Sequence, residues 1–133
     1  MREARRGVPW SARRAARRAA YQAWMASPAW LAARRRWRAT WVATVGTEPA
    51  CQVCGKPWTL RSGDLHHRSY ARLGHEHFAD LVPLCRPCHT RVHAVLDAIP
   101  GWRQIGRASA SDTIIARLRA TRAGQKGNPG EHR

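Results

Sequence analysis

The sequence is poor in acidic residues, in lysine and in large apolar side chains. Its 133 residues include 24 Lys and Arg but only 8 Asp and Glu, which gives a formal net charge of +16. No run of about 18 apolar residues occurs, so we expect no membrane-spanning segment. Alanine supplies much of the 44% hydrophobic content. We therefore expect one small domain with extensions and a thin core, which usually needs a metal or a disulfide as a staple.

The cysteines form two pairs with the same spacing, Cys51-x-x-Cys54 and Cys85-x-x-Cys88. Two such pairs can present four thiolates to one tetrahedral ion. We predict that all four cysteines hold one structural zinc (Zn2+). Secreted disulfides are an alternative, but no signal peptide is evident and histidines are interleaved, so we expect a reducing cytoplasm. A redox role for one pair would need a βαβ context, which the sequence lacks.

Four histidines cluster around these cysteines. His89 and His93 are four residues apart on a predicted helix, so they share a face. His66 and His67 are neighbours on a predicted strand, where successive side chains diverge. We expect one of the two to bind metal and the other to face solvent or substrate, where a histidine can deprotonate a water. One crowded site mixing cysteine and histidine is the alternative, but eight potential ligands favour two functions.

The arginines are gathered in segments and do not mix with acids. Residues 1–46 hold 11 arginines and a single acid, Glu3. We predict a basic helical arm there, rather than a transit peptide, with one helix starting near Pro9 and Ser11 and a second at Ser27-Pro28. Because the guanidinium fork matches phosphate, we expect nucleic acid as the partner. A merely solvated surface and an anionic membrane are the alternatives. The residues assigned to nucleic-acid binding are Arg13, Arg14, Arg17, Arg18, Arg34, Arg35, Arg38, Arg86 and Arg91.

Four apolar residues recur at helical spacing on the second helix of the arm: Trp30, Trp37, Trp41 and Val45. We expect this stripe to pack against the zinc module, because buried tryptophans commonly form cores. Stacking on the bases of single-stranded nucleic acid is the alternative.

The rest of the chain alternates short elements with loops. The predicted order is a zinc knuckle at 51–55, a turn at 62–64, a strand at 65–67, a loop at 68–80, a strand at 81–84 and a helix at 88–98. Pro83 implies edge or irregular pairing of the second strand. In the loop, His75 and His77 are interpreted as exposed residues, with phosphate contact or metal ligation as alternatives.

The C-terminal segment is predicted to form one further helix. Ser111 and Asp112 are suited to cap it. Its predicted apolar face comprises Ile114, Ile115 and Leu118, and its predicted basic face comprises Arg117, Arg119 and Arg122. Residues 124–133 are predicted to be disordered.

The segment from Cys51 to His93 resembles the HNH endonuclease family, whose ββα-metal motif is here embedded between zinc knuckles. The resemblance rests on Leu65-His66-His67, on Asp80 through Cys85, and on Cys88-His89 through His93. It implies a small α+β fold with a ββα-metal, treble-clef-like core between the basic helices and a C-terminal helix. The expected organisation is an arm at 1–46, a nuclease core at 47–100, and a helix with a disordered tail at 101–133.

The resemblance also implies residue roles. His67 matches the general base, while His66 and His89 match ligands of a catalytic divalent ion. His93 matches a further histidine that ligates metal or contacts phosphate. Asp80 stands where the family has an asparagine that bonds backbone across the loop and orients the base, and an aspartate cannot donate through an amide.

The implied activity is metal-dependent hydrolysis of DNA, duplex before single strand, by a cytoplasmic protein of bacterial or phage origin. The ion would be Mg2+, Mn2+, Ni2+ or Zn2+. Arg86 and Arg91 flank the histidines and are expected to neutralise transition-state charge. Two alternatives stay open: a zinc-stabilised nucleic-acid-binding module without catalysis, and an RNA-directed or toxin-like nuclease.

Overall fold

A two-stranded sheet lies at the centre of the computed structural model, which describes residue 7 and residues 9–126. Strands β1 (Gly63–His67) and β2 (Leu81–Cys85) are antiparallel, and their register pairs His67 with Leu81. Within the described part of the chain the helices are α1 (Trp10–Met25), α2 (Pro28–Val45), α3 (Arg86–Ala98), α4 (Trp102–Ile105) and α5 (Arg107–Lys126). The predicted α+β class and ββα order are confirmed. None of the described helices is long and apolar enough to cross a membrane.

One face of the sheet packs against the arm. Leu65 of β1 and Leu81 of β2 form a buried cluster with three tryptophans, Trp30, Trp37 and Trp58. The first two come from α2, so the prediction that the tryptophan stripe packs as core is confirmed. Val45 is 51% exposed, and its inclusion in the buried stripe is wrong. It is the last residue of α2, and Gly46 ends the helix there with a φ of 87°.

The other face of the sheet packs against the cysteines, α3 and α5. Leu84 is fully buried in a cluster with Val92 of α3 and Ile114 of α5. The two strands are therefore covered on both sides. Side chains alternate along a strand, so each residue of β1 is committed to one of two separate cores.

N-terminal caps were predicted for α2 and for the C-terminal helix, α5, and only the first prediction is correct. Ser27 caps α2 as predicted, and its Oγ accepts the Trp30 N–H at 3.1 Å. The predicted cap at Ser111 and Asp112 is wrong, because α5 begins earlier, at Arg107. Ser111 is buried inside the helix, while the Asp112 carboxylate pairs with Arg68 at 2.8 Å.

Other boundaries shift by a few residues. Strand β1 begins at Gly63, inside the predicted 62–64 turn, because Gly63 still pairs with Cys85. Helix α3 begins at Arg86, two residues before the expected start, and α4 was not predicted. Residues 124–126 are helical, so the prediction of disorder is wrong there. The remaining predicted tail, 127–133, lies outside the described residues, as do residues 1–6 and 8 of the arm.

Close packing at the start of β1 requires glycine. A Cβ atom on Gly63 would lie 2.2 Å from the indole nitrogen of Trp58. The indole is 3% exposed and donates to the Asp64 carbonyl at 2.7 Å, so it cannot move aside. Arg34 also contacts the start of β1, where it donates to the Gly63 carbonyl at 2.6 Å.

We expect Gly63→Ala to destabilise the protein by roughly 1–3 kcal/mol, as overpacking of a core does. The free energy of unfolding of the zinc-loaded protein in urea measures this. Gly101→Ala is the matched control, because its added Cβ would meet nothing within 4 Å and its φ is −60°. Equal stability of the two variants would contradict the clash.

Candidate metal centres and active site

The four cysteines converge as predicted. Their Sγ atoms all lie within 4.8 Å of one another, and the Cys54 and Cys85 sulfurs are 3.7 Å apart. A disulfide would require about 2.05 Å. Four sulfurs around a tetrahedral zinc at about 2.3 Å are separated by roughly 3.8 Å. The cysteine cluster therefore has the dimensions of a structural zinc site.

Backbone hydrogen bonds shape the first knuckle and dock it on the sheet. The Gly55 N–H donates to the Cys51 carbonyl at 2.8 Å, and Gly55 takes a φ of 75° that favours glycine. The Gln52 N–H donates to the Pro83 carbonyl at 3.0 Å. Burial opposes ionisation of Cys51, but backbone donors at Cys54 and Cys85 outweigh it and lower the pKa of its thiol to about 7. A thiolate is thus accessible near neutral pH at Cys51, whereas burial raises the pKa of the Cys85 and Cys88 thiols.

Three histidines form a second cluster. His66, His89 and His93 each bring a ring nitrogen within 4.8 Å of the others. The Nε2 atoms of His89 and His93 are 3.0 Å apart. His66 is fully buried, and its Nδ1 has no hydrogen-bond partner among the described residues. An orphaned imidazole nitrogen beside two others fits a divalent ion, which would satisfy all three.

Two ring nitrogens that point away from the centre of this cluster already have hydrogen-bond partners. Nδ1 of His89 lies 3.1 Å from the Asp64 carboxylate, and Nε2 of His66 lies 2.8 Å from the Ser111 hydroxyl. Such partners fix ring orientation and leave the opposite nitrogens for metal. Sequence reasoning missed both. Asp64 had a signal, since it lies two residues before His66 on one strand face; Ser111, 45 residues away, had none.

Burial favours the neutral form of two histidines in this cluster, His66 and His93. It lowers the pKa of His66 to about 2, and the positive charges of Arg107 and the neighbouring imidazoles add to the effect. Burial also lowers the pKa of His93 to about 4. Metal ligation requires neutral imidazole, so these two side chains are in the ligating form at neutral pH.

His67 points to the opposite face of β1. Its Nε2 lies 2.9 Å from Oε2 of Glu76, and its ring stacks on Trp30 and on Tyr70 with centroid distances of 5.4 Å for each pair. Its side chain is 1% exposed. We expected one of the two neighbouring histidines to face solvent or substrate. For His67 exposure to solvent is wrong, because the arm and the 68–80 loop cover it. Burial lowers the pKa of His67, and the Glu76 carboxylate opposes that shift.

Asp80 organises the loop and makes no described contact with His67. Its carboxylate accepts the His77 N–H at 2.8 Å and forms a two-pronged ion pair with Arg72. The Arg72 guanidinium holds the pKa of Asp80 below its usual value. The Arg68 N–H donates to the Asp80 carbonyl at 2.7 Å, which joins the two ends of the 68–80 loop. The Asp80 side chain thus bonds backbone only at His77, the bond across the loop is made by its main-chain carbonyl, and neither group touches the assigned base.

The arginines assigned to nucleic acid fall into two groups. Arg34 and Arg38 are engaged within the protein: Arg34 donates to Gly63, and Arg38 pairs with Glu48 at 3.0 Å. The other group is solvent-exposed and comprises Arg13, Arg14, Arg17, Arg18, Arg35, Arg86 and Arg91. Arg86 keeps a loose contact of 3.6 Å with Asp64. The loop residues His75 and His77 are also exposed and belong to neither metal cluster.

Arg107 was missed by sequence reasoning. It opens α5, donates from Nε to the His67 carbonyl at 2.9 Å, and donates from Nη2 to the Tyr70 hydroxyl at 2.9 Å. No carboxylate among residues 9–126 pairs with its guanidinium. It also lines an open cavity of about 590 Å³ together with Arg14. Arg107 is therefore a cation beside His67, 40 residues away in sequence, and its charge also helps to lower the pKa of His66.

Residues 51–94 match the family model described as HNH endonuclease. This match confirms the resemblance for a segment that holds both cysteine pairs and the four histidines. No curated protein and no solved structure matches the chain. The family match supports a nuclease-type or nucleic-acid-related function and leaves substrate and activity to be argued from the site.

We expect separate metals at the two clusters. Cys88→Ser should release the structural zinc and unfold the protein, because binding free energy is folding free energy at such sites. His93→Ala should keep the fold and about one tight zinc per chain, and lose only the second ion. Metal content after desalting and far-UV circular dichroism measure both effects. If His93→Ala unfolded as Cys88→Ser does, one shared zinc site would be indicated instead.

Proposed function

We propose that the protein is a metal-dependent HNH endonuclease that hydrolyses DNA phosphodiester bonds. The observation that carries the proposal is the cluster of a buried His66 with the half-buried His89 and His93. Asp64 and Ser111 hold two of these rings in place. Three protein ligands leave positions open on an ion, as catalytic sites require and the four-cysteine site does not. The match of residues 51–94 to the HNH endonuclease model supports the nuclease class.

The three histidines would hold a divalent ion, of which Mg2+, Mn2+, Ni2+ and Zn2+ are candidates. When bound, such an ion polarises the scissile phosphate and stabilises the departing oxygen. His67, the neighbour of His66, would accept a proton from the attacking water. The new P–O bond forms opposite the P–O3′ bond that breaks, which leaves a 5′-phosphate and a 3′-hydroxyl. Asp80 supports this arrangement by closing the loop.

Access to His67 is a requirement of this mechanism. Tyr70 stacks on its ring and is 41% exposed, whereas Trp30, the other stacking residue, is 7% exposed. Tyr70 is therefore the cover that can leave with least loss of packing. We propose that DNA binding displaces Tyr70 and opens His67 to water. The Arg107 guanidinium, which has no carboxylate partner among the described residues and now donates to the Tyr70 hydroxyl, would then contact phosphate.

The exposed arginines supply backbone affinity. Helix α1 has no buried residue, so Arg13, Arg14, Arg17 and Arg18 are free to approach phosphates. Arg35, Arg86 and Arg91 are exposed elsewhere. Contacts of this kind are largely independent of sequence and depend strongly on salt. Duplex DNA is the substrate that we propose first, since nothing in the described surface requires unpaired bases.

A second candidate function is a zinc-stabilised nucleic-acid-binding module without catalysis. The burial of His67, at 1% exposure of its side chain, is the specific observation in its favour. In that case the arm would bind nucleic acid as proposed, and the histidine cluster would serve only the fold.

We expect plasmid DNA to be cleaved in the presence of at least one of the four candidate ions. His67→Ala should lower the rate by roughly 10²- to 10⁴-fold, the usual contribution of general acid–base catalysis. His75→Ala is the matched control, because His75 is an exposed loop histidine outside both clusters. Gel assays on plasmid, single-stranded DNA and RNA give the rates and the substrate class.

Each outcome of that assay is decisive. Cleavage that survives His67→Ala would reject the assigned base. A folded, metal-loaded protein that cleaves nothing would favour the binding module. Preferential cleavage of RNA would replace DNA by RNA as the substrate at the same site.

We also expect the slope of log affinity for duplex DNA against log salt to shrink when the arginines of α1 are neutralised. Replacing Arg13, Arg14, Arg17 and Arg18 with glutamine should reduce the slope by up to about 0.9 per lost phosphate contact. The matching lysine variants keep the charge and should keep most of the slope. Fluorescence anisotropy over a salt series measures it, and a glutamine variant with the wild-type slope would exclude α1 from the interface.

A further inference from the structure

Glu76 is a buried carboxylate that the mechanism above does not use. Its side chain is 2% exposed, although it belongs to the loop between the strands. Three groups surround it: the Trp24 indole N–H donates to Oε2 at 2.8 Å, the Gly74 N–H donates to Oε1 at 2.7 Å, and Nε2 of His67 lies 2.9 Å from Oε2. Burying a carboxylate is costly unless hydrogen bonds compensate for the lost water, and these three partners hold Glu76 in one orientation.

The location of the proton between Glu76 and His67 follows from these contacts. Burial raises the pKa of Glu76, but the hydrogen bonds from His67, Trp24 and the backbone outweigh it, so the net shift is downward. Glu76 is therefore ionised at neutral pH, and an ionised carboxylate only accepts hydrogen bonds. The proton shared with His67 must reside on Nε2. The lone pair of the neutral ring is then on Nδ1.

We propose that Glu76 is the positioning residue of His67: it fixes the ring in the Nε2–H tautomer and leaves Nδ1 as the nitrogen that takes the proton from water. This inference rests on the proposed nuclease function for the role of His67 as a base. In the step itself, the water oxygen forms the bond to phosphorus while its proton passes to Nδ1. The P–O3′ bond breaks opposite it, and the departing O3′ takes a proton from solvent water. The Glu76 carboxylate keeps accepting from Nε2 and stabilises the imidazolium that forms.

The loop explains how Glu76 reaches the ring. Gly74 takes a φ of 91°, which turns the chain so that its own N–H meets Oε1 of Glu76. Asp80 binds Arg72 and the His77 N–H on either side of this turn. Asp80 therefore fixes the loop segment that contains Glu76, so its effect on His67 is indirect.

A purely structural role for Glu76 is the competing explanation, because Trp24 of α1 donates to the same oxygen that faces His67. Under that explanation the carboxylate would only anchor the arm. Trp24→Phe separates the two roles: it removes the hydrogen bond from α1 and leaves the Glu76–His67 contact in place. Glu76→Gln keeps the shape of the side chain and removes its charge.

The direct test is the tautomer of His67 in the zinc-loaded full-length protein at neutral pH. Long-range 1H–15N correlation of the imidazoles reports it, with His67 assigned by comparison with His67→Gln. We expect a protonated, pyrrole-type Nε2 and an unprotonated, pyridine-type Nδ1. The Trp24→Phe variant should give the same pattern, and Glu76→Gln should give a mixture of tautomers. A wild-type His67 protonated on Nδ1 would overturn the proposal without any variant.

Cleavage kinetics give the second readout. We expect Glu76→Gln to lower kcat by roughly 10²- to 10⁴-fold with KM for DNA unchanged, because the buried carboxylate touches no substrate. Trp24→Phe should keep a kcat near that of wild type. Equal losses in the two variants would overturn the positioning role in favour of arm anchoring. A wild-type protein that shows the Nε2–H tautomer but cleaves nothing would reject the nuclease function alone and support the Glu76 assignment.

Discussion

The whole structure depends on burying a two-stranded sheet on both faces. Two short strands are not stable by themselves in water, and this chain has few large apolar residues with which to cover them. It uses two different solutions. One face is covered by the cysteine cluster together with α3 and α5, and the other by tryptophans of α2. Because side chains alternate along β1, this two-sided burial separates His66 from His67.

That separation gives each histidine its own chemical environment. His66 lies with the helical histidines where an ion would bind, next to Ser111. His67 lies among aromatic rings with a carboxylate at its far nitrogen. The two helices of the arm also differ in how far they are buried. Helix α2 supplies core tryptophans, whereas α1 has no fully buried residue, packs Trp24 against the edge of that core and leaves its arginines exposed.

Some features could be predicted from the sequence because they depend only on residues that are close together in the chain. The two C-x-x-C pairs, the His89 and His93 spacing and the Ser27 cap depend on residues within one turn or strand, and they could be predicted from sequence. Ser111, Arg107 and Glu76 could not. Each reaches the histidines through loop closure or helix docking, and their type and spacing carry no signal of that contact. Burial of His67 was missed for the same reason, since nothing local shows that Trp30 and Tyr70 cover it.

The aspartate at position 80, where the family has an asparagine, still closes the loop between the two strands. An asparagine there could both donate and accept, whereas an aspartate only accepts. The structure supplies donors to match, from the Arg72 guanidinium and the His77 N–H, so the loop is closed by a charge-assisted pair. The acceptor that faces His67 is then Glu76, four residues earlier in the same loop. Loop closure and the contact with His67 are thus made by two different carboxylates, and neither requires the amide that Asp80 lacks.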